Sequence, residues 1–183
     1  MRDRIAWRAG FTLTEMLIVV AALAALASVA VPLLLGPDPE RVELAAVELV
    51  QALRFARSEA ERTGVPHGVR IDAATEQVQL FRLDLSTMPP THDFAIYHPV
   101  HRGLFVLDYS TDPQTSGVQI TAATLTFTAA CSELKDLVFD ERGTPLCSNP
   151  VSVGLTAATI NVGNGQTTRL VNVAGVTGRV VLQ

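Results

Sequence analysis

Lysine is almost missing from this chain. Lys135 is the only lysine in 183 residues, and 18 acidic residues outnumber 14 basic ones, which gives a formal net charge of −4. Unselective binding to phosphate backbones depends on clustered lysine and arginine side chains. The composition therefore argues against nucleic acid as a partner.

The sequence also lacks the usual signatures of an enzyme. It contains no Gly-x-Ser-x-Gly nucleophile elbow and no Gly-x-x-x-x-Gly-Lys phosphate loop. His92, His98 and His101 lie close to Asp93, but their spacing matches neither a helical His-Glu-x-x-His site nor a Cys/His zinc site. We interpret these histidines as solvated loop residues, and we predict no catalytic residue, cofactor or metal.

What the chain does have is a long apolar run behind a short basic leader. Residues 1–10 carry three arginines against a single acid, and residues 16–35 carry no charge. Twenty helical residues rise about 30 Å, which is the thickness of a bilayer core. Glu15 stands at the start of this run, where an ionised carboxylate is costly and is therefore a functional candidate.

Two general explanations of this N-terminus are available. A secretory signal peptide has a basic region, an apolar region and a small-residue cleavage site, which Ala27 or Ala30 would provide. A plain membrane anchor accounts for the length of the run. Neither explains why a glycine and a glutamate stand at its start.

The segment Gly-Phe-Thr-Leu-Thr-Glu at residues 10–15 resembles the type IV prepilin signal, which accounts for leader, glycine, glutamate and length together. Members of that superfamily are cleaved after the glycine, methylated on the new N-terminal residue and assembled into a filament from the inner membrane. The resemblance implies that prepilin peptidase removes the leader, residues 1–10, by cutting between Gly10 and Phe11. It also implies N-methylation of Phe11 and a transmembrane, filament-core helix over residues 11–35.

In this interpretation Glu15 is an assembly residue. It pairs with the free amino group of Phe11 in a neighbouring subunit, because a buried charge needs a partner, and the pair sets the register of the filament. The leader arginines stay cytoplasmic, so the chain crosses the inner membrane once and its C-terminal domain lies in the periplasm. Pro32 removes a backbone hydrogen bond and predicts a helix kink.

A second helical pattern follows the breaker cluster Gly-Pro-Asp-Pro at residues 36–39. Asp38 is a candidate N-cap, with Pro39 in the first helical position, and Gly64 predicts the end of the helix. An apolar stripe with 4-3-4-3-4 spacing indicates a buried face; it contains Val42, Ala46, Leu49, Leu53, Ala56 and Ala60. One long, interrupted helix is therefore predicted from Phe11 to Thr63, with residues 36–64 as its periplasmic half.

Three segments resemble the GspH/FimT-type minor pseudopilins, whose helix carries a Leu…Ala-Arg-x-x-Ala…Gly pattern. The matching positions in the helix are Leu53, Ala56, Arg57, Ala60 and Gly64, and residues 138–143 and 169–180 match further segments of that family. The residues alone give Arg57 a simpler role, a solvated charge paired with Glu61 at i+4.

From residue 68 onward, short runs divided by turn residues indicate β-strands. Residues 140–143 and 163–165 predict hairpin turns, and residues 85–91 predict a surface loop. The predicted strands cover residues 68–71, 77–83, 104–107, 125–127, 137–139, 151–155, 159–162, 169–173 and 179–182. The predicted fold class is α+β and pilin-like: a long N-terminal helix packs on antiparallel β-sheet, with residues 65–183 as the β-rich globular part.

Cys131 and Cys147 are the only cysteines. In the periplasm an even pair favours a disulfide, with two free buried thiols as the alternative. A closed loop of this size contributes about 3 kcal/mol in the chain-entropy model.

Together these features predict a non-enzymatic minor pseudopilin near the tip of the periplasmic filament of a type II protein secretion system. The implied partners are the prepilin peptidase, other major and minor pseudopilins and the inner-membrane assembly platform. The alternative is a FimT/FimU-like minor pilin of a type IV pilus, which primes assembly and contributes to DNA uptake. Arg169 and Arg179 are the obvious cationic side chains for that role, too few for a continuous phosphate track.

Overall fold

The computed structural model describes residues 12–35, 39–100 and 102–183. It contains two helices, α1 (Leu13–Leu35) and α2 (Pro39–Thr63), in two compact units that divide after Gly36. The single long helix predicted from Phe11 to Thr63 is not confirmed, because Phe11 and residues 36–38 lie outside the described residues.

Helix α1 begins directly after a capping threonine. The amide of Glu15 donates a hydrogen bond to Oγ1 of Thr12 at 3.2 Å, which satisfies one of the free amides of the first turn. Thr-x-x-Glu is also the sequence of a capping box, so Glu15 has a local reason to stand here besides the predicted assembly role. Among the residues that the structure describes in full, no helix is both long and apolar enough to cross a membrane. The transmembrane segment remains a prediction.

Helix α2 buries the predicted apolar stripe. Pro39 occupies the first helical position, as predicted, and Gly64 ends the helix with a φ of +66°. The amide of Gly64 donates a hydrogen bond to the carbonyl of Ala60 at 3.0 Å. Glycine is preferred at this end of a helix because it adopts a positive φ without strain. The buried side chains of the helix are Val42, Ala45, Ala46, Leu49, Val50, Ala52, Leu53, Ala56 and Ala60.

Ten strands follow in the described part of the chain. They are β1 (His67–Asp72), β2 (Gln77–Asp84), β3 (Thr91–Asp93), β4 (Val106–Asp108), β5 (Gln119–Phe127), β6 (Asp136–Phe139), β7 (Pro145–Leu146), β8 (Leu155–Gly163), β9 (Thr168–Ala174) and β10 (Val180–Leu182). The first sheet has the order β3-β2-β1-β6-β7, and β4 also pairs with β2. The second sheet has the order β10-β9-β8-β5. All these pairs are antiparallel.

The hydrophobic core lies between α2 and both sheets. The helix contacts β1, β2 and β6 of the first sheet and β8, β9 and β10 of the second. Each sheet presents alternate apolar side chains to the helix, as the two-residue period of a strand requires. The predicted α+β class with antiparallel sheet is therefore confirmed, and the helix that packs on the sheets is α2.

The strand predictions are mostly confirmed, with two kinds of error. Residues 151–153 are not a strand, because Val153 closes a turn on the carbonyl of Pro150 at 3.2 Å and β8 begins only at Leu155. Strands β3 and β7, and the first half of β5, were not predicted. The predicted hairpin turns at residues 140–143 and 163–165 are confirmed, since residues 140–144 join β6 to β7 and residues 164–167 join β8 to β9.

Cys131 and Cys147 form a disulfide, with their Cα atoms 5.9 Å apart. The bridge closes the segment that contains both β6 and β7. The disulfide prediction is confirmed, and the alternative of two free thiols is not.

Candidate functional site

Two sheet turns meet the C-terminal half of helix α2. One is the β6–β7 turn, which ends at Gly143, and the other is the β9–β10 turn, which contains Gly178. These glycines have φ values of +73° and +61°. A Cβ on Gly178 would run into the carbonyl oxygen of Gly143, and a Cβ on Gly143 would run into the side chain of Glu61. Both positions therefore favour glycine for their backbone conformation, and Gly178 also requires it for space, because the atom in its way belongs to the backbone.

This convergence brings together the three segments that carry the sequence resemblance. Residues 138–143 supply the first turn, residues 169–180 supply the second, and the helix supplies Arg57 and Glu61. Each segment could be recognised from the sequence by itself. The contact between the three segments could not be predicted, because a pattern along the chain does not show that two turns lie on one face of a helix.

A groove of about 330 Å³ lies at this meeting point, and three arginines line it: Arg54, Arg57 and Arg179. A terminal nitrogen of Arg54 donates to the carbonyl of Val180 at 3.1 Å, which ties the helix to the last strand. Nε of Arg57 donates to Glu61 at 2.9 Å, as the i+4 spacing predicted. Arg179 is exposed at the groove.

Arg169 is placed differently from Arg179. Its Nε pairs with the carboxylate of Glu43 on α2 at 2.5 Å, so a negative charge offsets the positive one. Of the two cationic side chains that the sequence suggested for DNA contact, Arg169 is thus engaged in an exposed ion pair between β9 and α2. This lowers the positive potential available to a phosphate backbone.

A second groove, of about 430 Å³, runs beside α2 where the loops around β4 approach the helix. Glu48 and Asp112 both line it, and burial raises the pKa of Glu48, with the nearby charge of Asp112 adding to the effect. The hydroxyl of the buried Tyr109 donates to the carbonyl of Ala45 at 3.0 Å, and burial raises the pKa of this phenol. Among the described residues no cluster of three or more His, Cys, Asp or Glu side chains could hold a metal.

The interpretation of the histidines as solvated loop residues is wrong for His92. This residue lies in β3, and its side chain is only 16% exposed. Its Nε2 is 2.8 Å from Oδ2 of the buried Asp136, within ion-pair distance but without the geometry of a hydrogen bond. The ring packs edge-on against Phe81, with the centroids 4.5 Å apart. His98 packs against Phe105, and His101 lies outside the described residues.

The predicted processing and assembly residues are only partly within the described structure. Gly10 and Phe11 lie outside it. Glu15 is exposed in the first turn of α1. A carboxylate at this position also interacts favourably with the positive end of the helix dipole. Helix α1 continues through Pro32, and the kink remains a prediction.

No family model matches the sequence, and no curated protein sequence matches it. Solved structures do match the fold. Two structures of the minor pseudopilin EpsH from the type 2 secretion system of Vibrio cholerae cover 78% of this chain and 96% and 93% of their own chains. Their TM-scores are 0.52 and 0.54, at 18% and 17% sequence identity.

The chain has a pilin-like fold, similar to that of the minor pseudopilin EpsH. A third match, the type IV minor pilin FimU of Pseudomonas aeruginosa strain PAO1, covers 79% of this chain and 90% of its own, with 21% identity and a TM-score of 0.47. At these identities the likeness concerns the fold. The two EpsH structures confirm the predicted pilin-like fold over 78% of the chain.

Proposed function

We propose that this chain is a minor pseudopilin, a non-enzymatic structural subunit near the tip of the periplasmic pseudopilus of a type II protein secretion system. The observation that carries the proposal is a helix packed against two antiparallel sheets, which is similar to EpsH over 78% of the chain. The prepilin-like segment at residues 10–15 supports it independently, because fold similarity does not depend on those residues.

In this proposal the chain enters the inner membrane as a precursor. Prepilin peptidase removes residues 1–10, Phe11 is methylated, and residues 11–35 anchor the subunit with its C-terminal domain in the periplasm. Glu15 then pairs with the amino group of Phe11 in a neighbouring major or minor pseudopilin, while the assembly platform moves subunits from the membrane into the filament. Apolar surroundings make an unpaired carboxylate costly, so the pair favours one register.

Deleting the gene in the bacterium that encodes the chain tests the system in which it acts. Proteins normally released to the medium are expected to accumulate in the periplasm, and the wild-type chain is expected to restore their release. Loss of twitching motility with unchanged secretion would instead assign the chain to a type IV pilus as a FimT/FimU-like minor pilin. A strain normal in both would contradict either role.

Substitutions at the N-terminus test the assembly step. Intact mass of the membrane-extracted chain is expected to show a mature N-terminus at Phe11, and Gly10→Val is expected to retain the leader. Glu15→Gln keeps a side chain suited to the capping box but loses the charge, so it is expected to fold and yet fail to enter the filament. The matched control is Thr12→Ala, which removes the cap and keeps the carboxylate. Equal assembly defects in both variants would show that capping, and not charge pairing, is the role of Glu15.

A further inference from the structure

The groove between α2 and the β9–β10 turn is a positively charged site on an acidic chain. The guanidinium groups of Arg54, Arg57 and Arg179 line it. Glu61 contributes the one carboxylate among its lining residues. The whole sequence has a formal net charge of −4, so a ligand in the groove meets a local charge opposite in sign to that of the protein.

Most hydrogen-bond donors of these arginines have no protein partner in the described structure. A guanidinium group carries five N–H donors in a planar fork. Arg54 donates one of them to the carbonyl of Val180, and Arg57 donates one to Glu61. The Arg179 side chain donates none to any described residue. The remaining donors are open to a ligand, and the fork matches the two oxygens of a carboxylate.

The backbone that carries Arg179 is held in place. Its carbonyl accepts a hydrogen bond from the amide of Ala174 at 3.0 Å, and its amide donates to Oγ1 of Thr177 at 3.4 Å. The preceding Gly178 lies against the carbonyl oxygen of Gly143, where no Cβ fits. The groove is therefore formed before a ligand enters, which lowers the entropic cost of binding.

Charge selects the occupant of this groove. Exposed charges are screened beyond about 8 Å in physiological salt, so an acidic side chain in the groove interacts mainly with the three arginines. A nucleic acid duplex is a long row of phosphates and also meets the surrounding surface of an acidic protein, which repels it. The chain's own residues 1–10 carry three arginines against one acid, so their charge does not complement the groove.

We propose that this groove is a docking site for an acidic segment of a partner protein. A carboxylate of the segment pairs with the guanidinium of Arg179 through two parallel hydrogen bonds. A second carboxylate accepts from the unused donors of Arg54 and Arg57, which keep their bonds to Val180 and Glu61. This docking does not depend on the secretion role, because it uses only residues of the globular part.

The test is an NMR titration of the full chain, labelled with nitrogen-15, in uncharged detergent at about 150 mM salt. The Nε–Hε signals of the arginines report on the guanidinium groups themselves. The probe is a peptide of alternating Glu and Gly with blocked ends, and the matched peptide has Gln in place of each Glu. The Glu peptide is expected to shift the signals of Arg54, Arg57 and Arg179 to saturation. The Gln peptide is expected to leave them unchanged.

Reversing one charge tests whether the groove itself binds the peptide. Arg179→Glu is expected to raise the dissociation constant of the Glu peptide at least about tenfold, because repulsion replaces an ion pair. Arg142→Glu is the matched control, with the same change in net charge at an exposed position of the β6–β7 turn. Arg142 lies outside the groove, on a surface that it shares with Pro66 and Leu146. This control is expected to change the dissociation constant less than about threefold, and circular dichroism checks that both variants fold.

Four results would overturn the proposal. Absence of saturable shifts, or equal shifts with the two peptides, would show that the groove does not recognise carboxylates. Equal effects of the two charge reversals would show that net charge, and not the groove, attracts the peptide. Duplex DNA that displaces the peptide at this salt concentration would assign the groove to nucleic acid. Arginine signals that move with protein concentration before peptide is added would assign it to a second copy of the chain.

Discussion

Both oxygens of the Asp136 carboxylate are held by the guanidinium of Arg70. Nε of Arg70 donates to Oδ1 at 2.7 Å and Nη2 donates to Oδ2 at 2.9 Å, which joins β6 to β1. Asp136 is fully buried, whereas the Arg70 side chain is 29% exposed, and the hydrogen bonds to Asp136 raise the pKa of Arg70. Ser148, next to the bridged Cys147, also donates to Oδ2 at 3.3 Å. One carboxylate inside the disulfide-closed segment thus connects β6 to β1 and to Ser148, just beyond the bridge.

Removing this carboxylate should destabilise the fold. Asp136→Ala is expected to lower the free energy of unfolding by about 3 kcal/mol, because it leaves the guanidinium without its partner in a largely dry site. Asp93→Ala is the matched control, since its ion pair with Arg82 is exposed and should contribute less than about 1 kcal/mol. Urea denaturation of residues 38–183, which contain the whole described core, measures both. Equal losses in the two variants would contradict the role assigned to burial.

Gly178 should tolerate substitution poorly. A Cβ there meets the carbonyl oxygen of Gly143, and the residue also has a positive φ, so Gly178→Ala is expected to cost about 2–4 kcal/mol. The comparison is Gly165→Ala, with a φ of +82° and no atom within 4 Å of the added Cβ, which should cost about 1–2 kcal/mol. Thermal unfolding followed by circular dichroism separates them. A Gly178→Ala loss no larger than that of Gly165→Ala would show that the two turns are free to move apart.

Glu48 should weaken the fold at neutral pH. Burial, together with Asp112, raises its pKa above the ordinary 4.5, so the folded state holds this proton more tightly than the unfolded chain does. The free-energy cost of ionising Glu48 in the folded state is therefore absent well below pH 4.5 and fully present above the raised pKa. Glu48→Gln is expected to be more stable than wild type at pH 7 and equal to it in acid.

Glu59 provides a control of opposite sign for this pH dependence. The hydrogen bond from Arg62 lowers the pKa of Glu59, so its contribution is favourable at pH 7 and is lost as the pH falls through the lowered pKa. Glu59→Gln is therefore expected to be slightly less stable than wild type at pH 7. Denaturation at two pH values tests the pair, and effects of the same sign at neutral pH would refute the assignment.

DNA binding by the globular part should be weak and sensitive to salt. Arg169 is neutralised by Glu43, so a duplex would find few free cations, and affinity is expected to disappear by about 150 mM salt. Arg179→Ala should abolish whatever binding remains at low salt, whereas Arg169→Ala should change it little. Titration of labelled duplex at two salt concentrations measures this. Micromolar binding that persists at the higher salt would favour the DNA-uptake role.

Much of the fold was predictable where the cause is local. The buried stripe of α2 follows from the 3.6-residue period, and its end follows from a glycine that accepts a positive φ. The turns at residues 140–143 and 163–165 follow from the same preference. Strands β3 and β7 were missed because two or three residues contain no pattern of their own and exist only through their partners.

The sequence by itself therefore determined the helices, most strands, the turns and the prepilin-like N-terminus, because each depends on residues close together in the chain. Tertiary structure alone decided that Asp136 meets Arg70 across 66 residues, that two glycine turns meet one face of α2, and that β5 is left at an open edge. Contacts of this kind depend on how distant elements pack, and packing is set by the shape and burial of the whole core rather than by any local pattern.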